Sequence, residues 1–309
     1  MKHKTKKPDL VSMADISSND IFEILDLAKK LKAKPLLKAS FLKNQSIALI
    51  FAKPSLRTRV SFEVGITQLG GKSIVIKMDE INVGIRENVE DIANVLSRYV
   101  SGIVIRTYEQ KQISDLGKYS AVPVINALSN EEHPCQIVSD LFTIKEIFSK
   151  LSGLKIAYIG DGNNIVHSLL IGAALTNMDI SIATPKQYPP EKSYVNLAKK
   201  LNPKINIEVT NIPSDAAKNA NVLYTDVWVS MGQEKEAKQR KKIFAPYQIN
   251  DKLLSVANKN SIVLHCLPAH KEQEITSKIF DEFSSIIYQQ AENRLHAQKA
   301  ILLKLIGTK

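Results

Sequence analysis

Ser55-Leu56-Arg57-Thr58-Arg59 packs two guanidiniums, two hydroxyls and a run of backbone N–H groups into five residues. That combination suits a compact anion such as phosphate. The apolar run at 46–52 before it reads as a buried strand, broken by Lys53-Pro54. From Val60 to Leu69 the spacing is helical and stops at Gly70-Gly71. The donors therefore gather at a helix N-terminus fed by a strand, where dipole, orphan N–H groups and guanidinium forks point one way. An Arg-x-Arg pair alone is more often an exposed basic turn. The strand–turn–helix setting, with Ser and Thr interleaved, favours the anion.

Other polar motifs fall just after, or at the end of, strand-like runs: Arg106, His133, Asn164, Asp226 and Cys266 share this placement with Arg57. In parallel α/β sheets such ends are where ligands bind. His133 opens a helix beside Pro134, with Gln136 one turn in; a capping or core histidine is the plain alternative. A buried Arg106 without an anion would be costly. Cys266 beside His265 does not make a cysteine hydrolase, because neighbouring strand residues point to opposite faces. Nor do His265, Cys266 and His270 carry zinc spacing, and Cys266 could serve simply as a small buried hydrophobe. Gly160-Asp161-Gly162-Asn163-Asn164-Ile165 fails as a dinucleotide fingerprint at Ile165, and Gly70-Gly71-Lys72-Ser73 fails as a P-loop at Ile66.

Taken together, Ser55–Arg59, His133-Pro134-Cys135-Gln136, Asp226-Val227-Trp228-Val229-Ser230-Met231-Gly232, His265-Cys266-Leu267-Pro268 and Ala291-Glu292-Asn293-Arg294 resemble the signatures of the aspartate and ornithine carbamoyltransferases, the ornithine branch above all. The resemblance runs from residue 46 to the last helix. It implies a carbamoyl-phosphate-binding domain at 1–148, with a C-terminal helix at 287–309 packing back on it. An ornithine-binding domain would occupy 149–286, with the active site in the cleft between the two. The implied reaction moves the carbamoyl group of carbamoyl phosphate to the side-chain amine of L-ornithine, giving L-citrulline and phosphate in arginine metabolism. Ser55, Leu56, Arg57 and Thr58 would hold the phosphate, and Arg106 would bridge it to the carbamoyl oxygen. His133 would donate to that oxygen, while Gln136, the Leu267 carbonyl and Arg294 orient the carbamoyl group. Asn164, Asp226, Ser230 and Met231 would bind ornithine, with Asp226 and Cys266 directing its amine; Cys266 also counts among the carbamoyl-phosphate contacts. Leu56 stands where the family has threonine, and Asn82 where a glutamine reaches a neighbouring subunit. A homotrimer with sites near subunit interfaces follows from the same resemblance.

The acceptor choice has a charge argument. Asp226 supplies the carboxylate an amino group wants, whereas an aspartate site would want cations, and this loop has none before Lys235. Aspartate or another amine as acceptor, and a non-catalytic descendant binding anions or nucleic acid, are the competing readings. No metal or organic cofactor is required, since the phosphate leaving group is already activated.

The elements that must position these residues alternate strand and helix, the pattern of an α/β fold with mainly parallel sheets in two domains flanked by helices. Strand-like runs lie at 46–52, 72–78, 102–107 and 122–126, then at 155–160, 179–184, 205–210, 222–226 and 261–267. Helical spacing marks 89–99, 133–148 and about 288–305, with a hinge at 148–153. The 309 residues are 44% hydrophobic and 24% charged, a globular composition with a net charge of +11. The basic excess is scattered lysine rather than a stripe interleaved with aromatics, which argues against a nucleic-acid partner. No apolar run reaches membrane-spanning length, the basic N-terminus lacks a signal peptide's apolar stretch, and two separated cysteines form no disulfide framework. The chain reads as cytoplasmic, with no membrane partner.

Overall fold

The computed structural model describes residues 7–81, 87–230 and 232–307. The chain divides into two compact units: Met1–Phe142 with Asn293–Lys309, and Thr143–Glu292.

The first unit holds α1 (Ser18–Ala33), β1 (Ser46–Phe51), α2 (Leu56–Gln68), β2 (Lys72–Lys77), α3 (Met78–Ile81), α4 (Val89–Tyr99), β3 (Gly102–Arg106), α5 (Gln110–Tyr119), β4 (Val124–Leu128) and the start of α6 (Pro134–Phe148). Its four strands are parallel in the order β2-β1-β3-β4. Strands β1 and β3 are apolar on both faces because helices cover both, as parallel sheets require. One face buries Ala48, Ile50, Ile103, Ile105 and Val124 against Ile92 and Ala93 of α4 and Ile113 and Leu116 of α5. Each such aliphatic side chain is worth about 1.5–3 kcal/mol when fully withdrawn from water. Side-chain caps fix the helix starts: Ser17 and Asp20 form a capping box at α1, and Asn88 accepts from Asp91 N at 2.8 Å at α4.

The second unit continues with β5 (Lys155–Ile159), α7 (Asn164–Thr176), β6 (Asp179–Ala183), α8 (Lys192–Leu201), β7 (Ile207–Thr210), α9 (Pro213–Ala217), β8 (Val222–Thr225), α10 (Ala237–Phe244), α11 (Asp251–Leu254), β9 (Ile262–His265) and most of α12 (Ser277–Ile306). The sheet order is β7-β6-β5-β8-β9, again parallel. Ala157, Ile159, Leu223 and Val263 pack against Ala216 and Ala217 of α9 and Ile279, Phe280 and Ile287 of α12.

All nine expected strands form: six start at the expected residue and end one residue sooner, and the runs at 122–126, 205–210 and 261–267 become Val124–Leu128, Ile207–Thr210 and Ile262–His265. Two helices begin earlier than their periodicity suggests. Helix α2 starts at Leu56 rather than Val60, because Ser55 caps it and accepts from Thr58 N at 3.3 Å. The Ser55–Arg59 motif is thus the first turn of the helix, not a loop ahead of it. Helix α12 starts at Ser277 rather than near 288; Ile279, Phe280 and Ile287 bury its early turns while Asp281, Glu282 and Ser284 interrupt the apolar pattern on its outer side.

Both sheets reverse winding beside their first strand. Strand β1 lies between β2 and β3, and β5 lies between β6 and β8, so a topological switch point opens beyond the carboxyl ends of each pair. The loop after β5 is pressed hard against its neighbours. Gly162 N–H donates to the Tyr188 carbonyl at 3.0 Å, and a Cβ on Gly162 would overlap the Pro189–Pro190 backbone, 2.5 Å from the Pro189 oxygen. Backbone cannot rotate aside as a side chain can. Gly162→Ala is therefore expected to lose about 1–3 kcal/mol of stability in chemical denaturation; an unchanged midpoint would mean the two loops yield freely.

Candidate active site

In the first unit the loops at the switch point deliver a cluster of cations. Arg106 is the last residue of β3, and Arg57 and Thr58 lie in the first turn of α2. Arg294 comes from α12, and His133 immediately precedes α6, which carries Gln136. Thr58, Arg106, His133, Gln136 and Arg294 are all buried. Thr58 Oγ1 accepts from Arg294 Nη2 at 2.9 Å and from Arg106 Nη1 at 3.4 Å. With both lone pairs taken, its hydroxyl proton is left for a ligand. Arg294 Nη1 donates to Gln136 Oε1 at 2.6 Å, and Gln136 Nε2 donates to Asp140 Oδ1 at 2.8 Å, so the amide orientation of Gln136 is fixed from both ends.

The electrostatics are those of positive charges brought together under burial. Burial, then Arg294 and Arg57, push Arg106 down to about 10. Burial and the guanidiniums of Arg294, Arg106 and Arg57 hold His133 well below the usual imidazole range, so it is neutral at pH 7. Among the described residues no carboxylate pairs with Arg106, and its buried Nε finds no acceptor. An anion would satisfy all three needs at once. Lys53, between β1 and α2, adds a further buried cation: its ammonium donates to Asn130 Oδ1 at 2.6 Å and lies 4.1 Å from the Tyr108 ring centroid.

The second unit gathers a different set at its own switch point. Asp226 follows β8 directly and is buried. Its Oδ1 accepts from Val227 N at 2.8 Å and from the Cys266 thiol at 2.9 Å; its Oδ2 accepts from Asn163 Nδ2 at 2.8 Å. Asn163 caps α7, accepting from Ile165 N at 3.0 Å and from Tyr158 OH at 3.2 Å. Cys266 thus faces the Asp226 carboxylate directly. Ser230 is held through its backbone N–H, which donates to Gln233 Oε1 at 2.9 Å. Asp161, from the Gly160-Asp161-Gly162 turn, pairs with Arg240 of α10, whose Nε donates to the Trp228 carbonyl at 2.6 Å. Arg240 packs against the adjoining Tyr188 and Phe244 rings, 4.5 and 5.0 Å from their centroids. Burial raises Asp161 to about 6 against the pull of Arg240.

Thr58, Arg106, His133, Gln136 and Arg294 are therefore joined within one unit, and Asp226 and Cys266 within the other. Asn164 is the first residue of α7, but its neighbour Asn163 is the one that meets Asp226. Cys266 and Leu267 belong to the second unit. Leu56 is strongly exposed, presenting its side chain away from the buried end of the helix. Asn82 and Met231 lie outside the described residues. Lys53, Asn163, Asp161 and Arg240 carry structural weight that sequence reading missed. The asparagine was legible as an N-cap; Arg240 sits in Lys238-Gln239-Arg240-Lys241-Lys242, which reads as a solvated basic face. Among the described residues no group of three or more His, Cys, Asp or Glu side chains is placed to hold a metal ion, and no helix is long and apolar enough to cross a membrane.

Comparison with known proteins bears on both units. Residues 8–146 match the family model for the aspartate/ornithine carbamoyltransferase carbamoyl-P binding domain, and residues 152–305 that for the Asp/Orn binding domain. An ornithine carbamoyltransferase of Archaeoglobus fulgidus is 48% identical over 309 residues, covering 99% of this chain and 98% of that relative. One from Carboxydothermus hydrogenoformans is 48% identical and covers 97% of each. Among solved structures, the ornithine carbamoyltransferase of Pyrococcus furiosus superposes with a TM-score of 0.94 at 41% identity, covering 99% of both chains. An anabolic ornithine carbamoyltransferase from Campylobacter jejuni gives 0.92 at 37% identity, covering 97% of this chain and 99% of that one.

Lys53 makes the anion end testable by pH. Burial, then Arg106, lower its ammonium to about 8. On its own this penalises the fold below pH 8, and the penalty fades as pH rises toward the unfolded value of about 10.4. A bound dianion reverses the preference by favouring the ammonium. Thermal stabilisation by inorganic phosphate should therefore shrink by about 1 kcal/mol between pH 7.5 and 9 in the wild type. Lys53→Gln should show a smaller stabilisation that barely changes over that interval. A phosphate effect that grew with pH would remove Lys53 from the anion end.

Proposed function

This chain belongs to the aspartate/ornithine carbamoyltransferase family, and on that premise we propose that it transfers the carbamoyl group of carbamoyl phosphate to the side-chain amine of L-ornithine, giving L-citrulline and phosphate. The observation that carries the proposal is a buried Arg106 with an unsatisfied Nε beside further guanidiniums in the first unit, while the second unit by itself holds an oriented buried carboxylate.

In this reading Met1–Phe142 with Asn293–Lys309 is the carbamoyl-phosphate half and Thr143–Glu292 the ornithine half. Ser55, the Leu56 amide, Arg57 and Thr58 hold the phosphate, and Arg106 spans phosphate and carbamoyl oxygen. Thr58, its lone pairs occupied, donates its hydroxyl proton to that oxygen, and His133 donates from a neutral ring. Neutrality matters, because a neutral donor stabilises developing negative charge without becoming a competing acid. Gln136, the Leu267 carbonyl and Arg294 orient the carbamoyl group. Asn164, Asp226, Ser230 and Met231 bind the amino acid, with Cys266 beside Asp226.

The bond changes are simple. The amine nitrogen attacks the carbonyl carbon, the C–O bond to phosphate breaks, and the amine proton is lost. An alkylamine of pKa about 10.4 must shed one proton before it attacks. The phosphate leaving group is a basic dianion well placed to receive protons in the course of transfer. Positioning two reactants and preorganised positive charge account for most of the expected rate gain, and no cofactor enters the balance.

We further read the protein as a cytoplasmic homotrimer. On α2, Leu56, Val60 and Val64 recur at every fourth residue and are exposed, and Ile74 on edge strand β2 is exposed too. A second copy covering this stripe is what supports an assembly.

Citrulline formation assayed with ornithine, aspartate and putrescine as acceptors tests the reading; turnover with ornithine alone is expected, and turnover with aspartate instead would overturn it. Asp226→Asn keeps shape and removes charge. It should lose about 2–4 kcal/mol of transition-state binding, read from kcat/KM for ornithine. Carbamoyl-phosphate affinity should hardly change, and the reverse pattern would exchange the roles of the two units.

A further inference from the structure

We infer that His265 and Glu274 form a positioning dyad that holds Cys266 and Leu267 in the geometry used for transfer, an inference that rests on the proposed carbamoyl-transfer reading. Neither residue is part of the binding sets described above, yet both side chains are fully buried.

His265 closes β9, the edge strand of its sheet. Its ring Nδ1 accepts the backbone N–H of Leu267 at 2.9 Å. Accepting requires a lone pair on Nδ1, so the ring proton must sit on Nε2 and the ring is neutral. Nε2–H then donates to Glu274 Oε1 at 3.0 Å. The same Oε1 accepts the His270 backbone N–H at 2.5 Å, while Oε2 lies 4.0 Å from the half-exposed His270 ring. Glu274 itself stands on a fixed mount, since its carbonyl accepts from Ile249 N at 2.9 Å beside the buried Ile249 and Ile275. The backbone N–H of His265, which a further strand would otherwise take, donates to Gln290 Oε1 at 3.0 Å.

These bonds over-determine a backbone that would not otherwise persist. Leu267 has φ of +58°, the left-handed region that a branched-chain residue avoids. Holding its N–H from the side of His265 fixes that turn. The turn in turn directs Cys266, whose thiol meets Asp226, and sets the direction of the Leu267 carbonyl. The chain of action runs Glu274 to His265 to the Leu267 N–H, and neither of its two hydrogen bonds needs to touch substrate. A carboxylate that orients a histidine, which then orients a functional group, is a recurring supporting arrangement.

Conservative and disruptive variants separate this role from bulk stability. His265→Asn can place an amide oxygen near Nδ1 and keep the acceptor; His265→Leu cannot. Glu274→Gln keeps an oxygen for Nε2–H; Glu274→Leu does not. Measured well below each variant's Tm, the two leucine variants should lose kcat for citrulline formation on the order of a hundredfold, with both KM values within about threefold. The Asn and Gln variants should recover most of that loss. A second readout needs no turnover: alkylation of Cys266 by iodoacetamide, followed by peptide mass, should change several-fold in rate in the leucine variants only, while the fully buried Cys135 serves as internal control. Wild-type kcat in His265→Leu, or equal impairment of Asn and Leu variants with unchanged Cys266 alkylation, would overturn the dyad. Absence of citrulline from the wild type would instead defeat the carbamoyl-transfer reading, leaving the alkylation comparison to decide the dyad alone.

Discussion

Mutual repulsion among Arg57, Arg106 and Arg294 is the constraint around which the first unit is built. Burial first, and then the charges of Arg294 and Arg57, lower the tendency of Arg106 to hold its charge and hold His133 neutral. A fold tolerates this only by supplying partial counter-charge at a distance. Thr58 contributes a hydroxyl oxygen to Arg294 and Arg106, and Gln136 links Arg294 to Asp140. A carboxylate in direct contact with Arg106 would neutralise the charge that an anion needs, and the Arg106 Nε is left without an acceptor. The capping of α2 by Ser55 belongs to the same solution, because it frees the remaining first-turn N–H groups to face the same point.

Arg240 shows the opposite treatment in the second unit. It too is buried, but Asp161 pairs with it directly, two adjoining aromatic rings pack against it and the Trp228 carbonyl takes its Nε. Nothing is left unsatisfied, so Arg240 acts as a fastener. It joins α10 to the chain just past Asp226 and to the turn after β5. The contrast between a satisfied and an unsatisfied arginine separates architecture from binding more sharply than burial alone.

The alternation of strand and helix was legible because parallel strands covered on both faces leave long apolar runs, and the ligand-facing motifs because they break those runs with charge. Arg57, Arg106, His133 and Asp226 could be picked out on that ground. Helix ends were less legible where a side-chain cap or late burial decides them, as at Ser55 and along Ser277–Ile306. The supporting residues were least legible of all. Arg240 sits among lysines, and Glu274 among polar residues after Pro268, so their burial depends on partners distant in the chain. Asn163 was half-visible: the asparagine pair stood out, but which member faces Asp226 depends on cap geometry.

Lys53 has a chemical consequence separate from its charge. A lysine titrating at about 8 is roughly a tenth unprotonated at neutral pH, whereas an ordinary lysine is so on the order of once in a few thousand molecules. The fold therefore keeps a nucleophilic amine of its own two residues from Ser55, in the turn between β1 and α2. Its bond to Asn130 and its position against the Tyr108 ring restrain it. A dianion in the site keeps it as ammonium and chemically inert. Without a neighbouring anion, Lys53 is more readily acylated than an ordinary lysine by an electrophile such as cyanate, so an anion bound beside it would shield it.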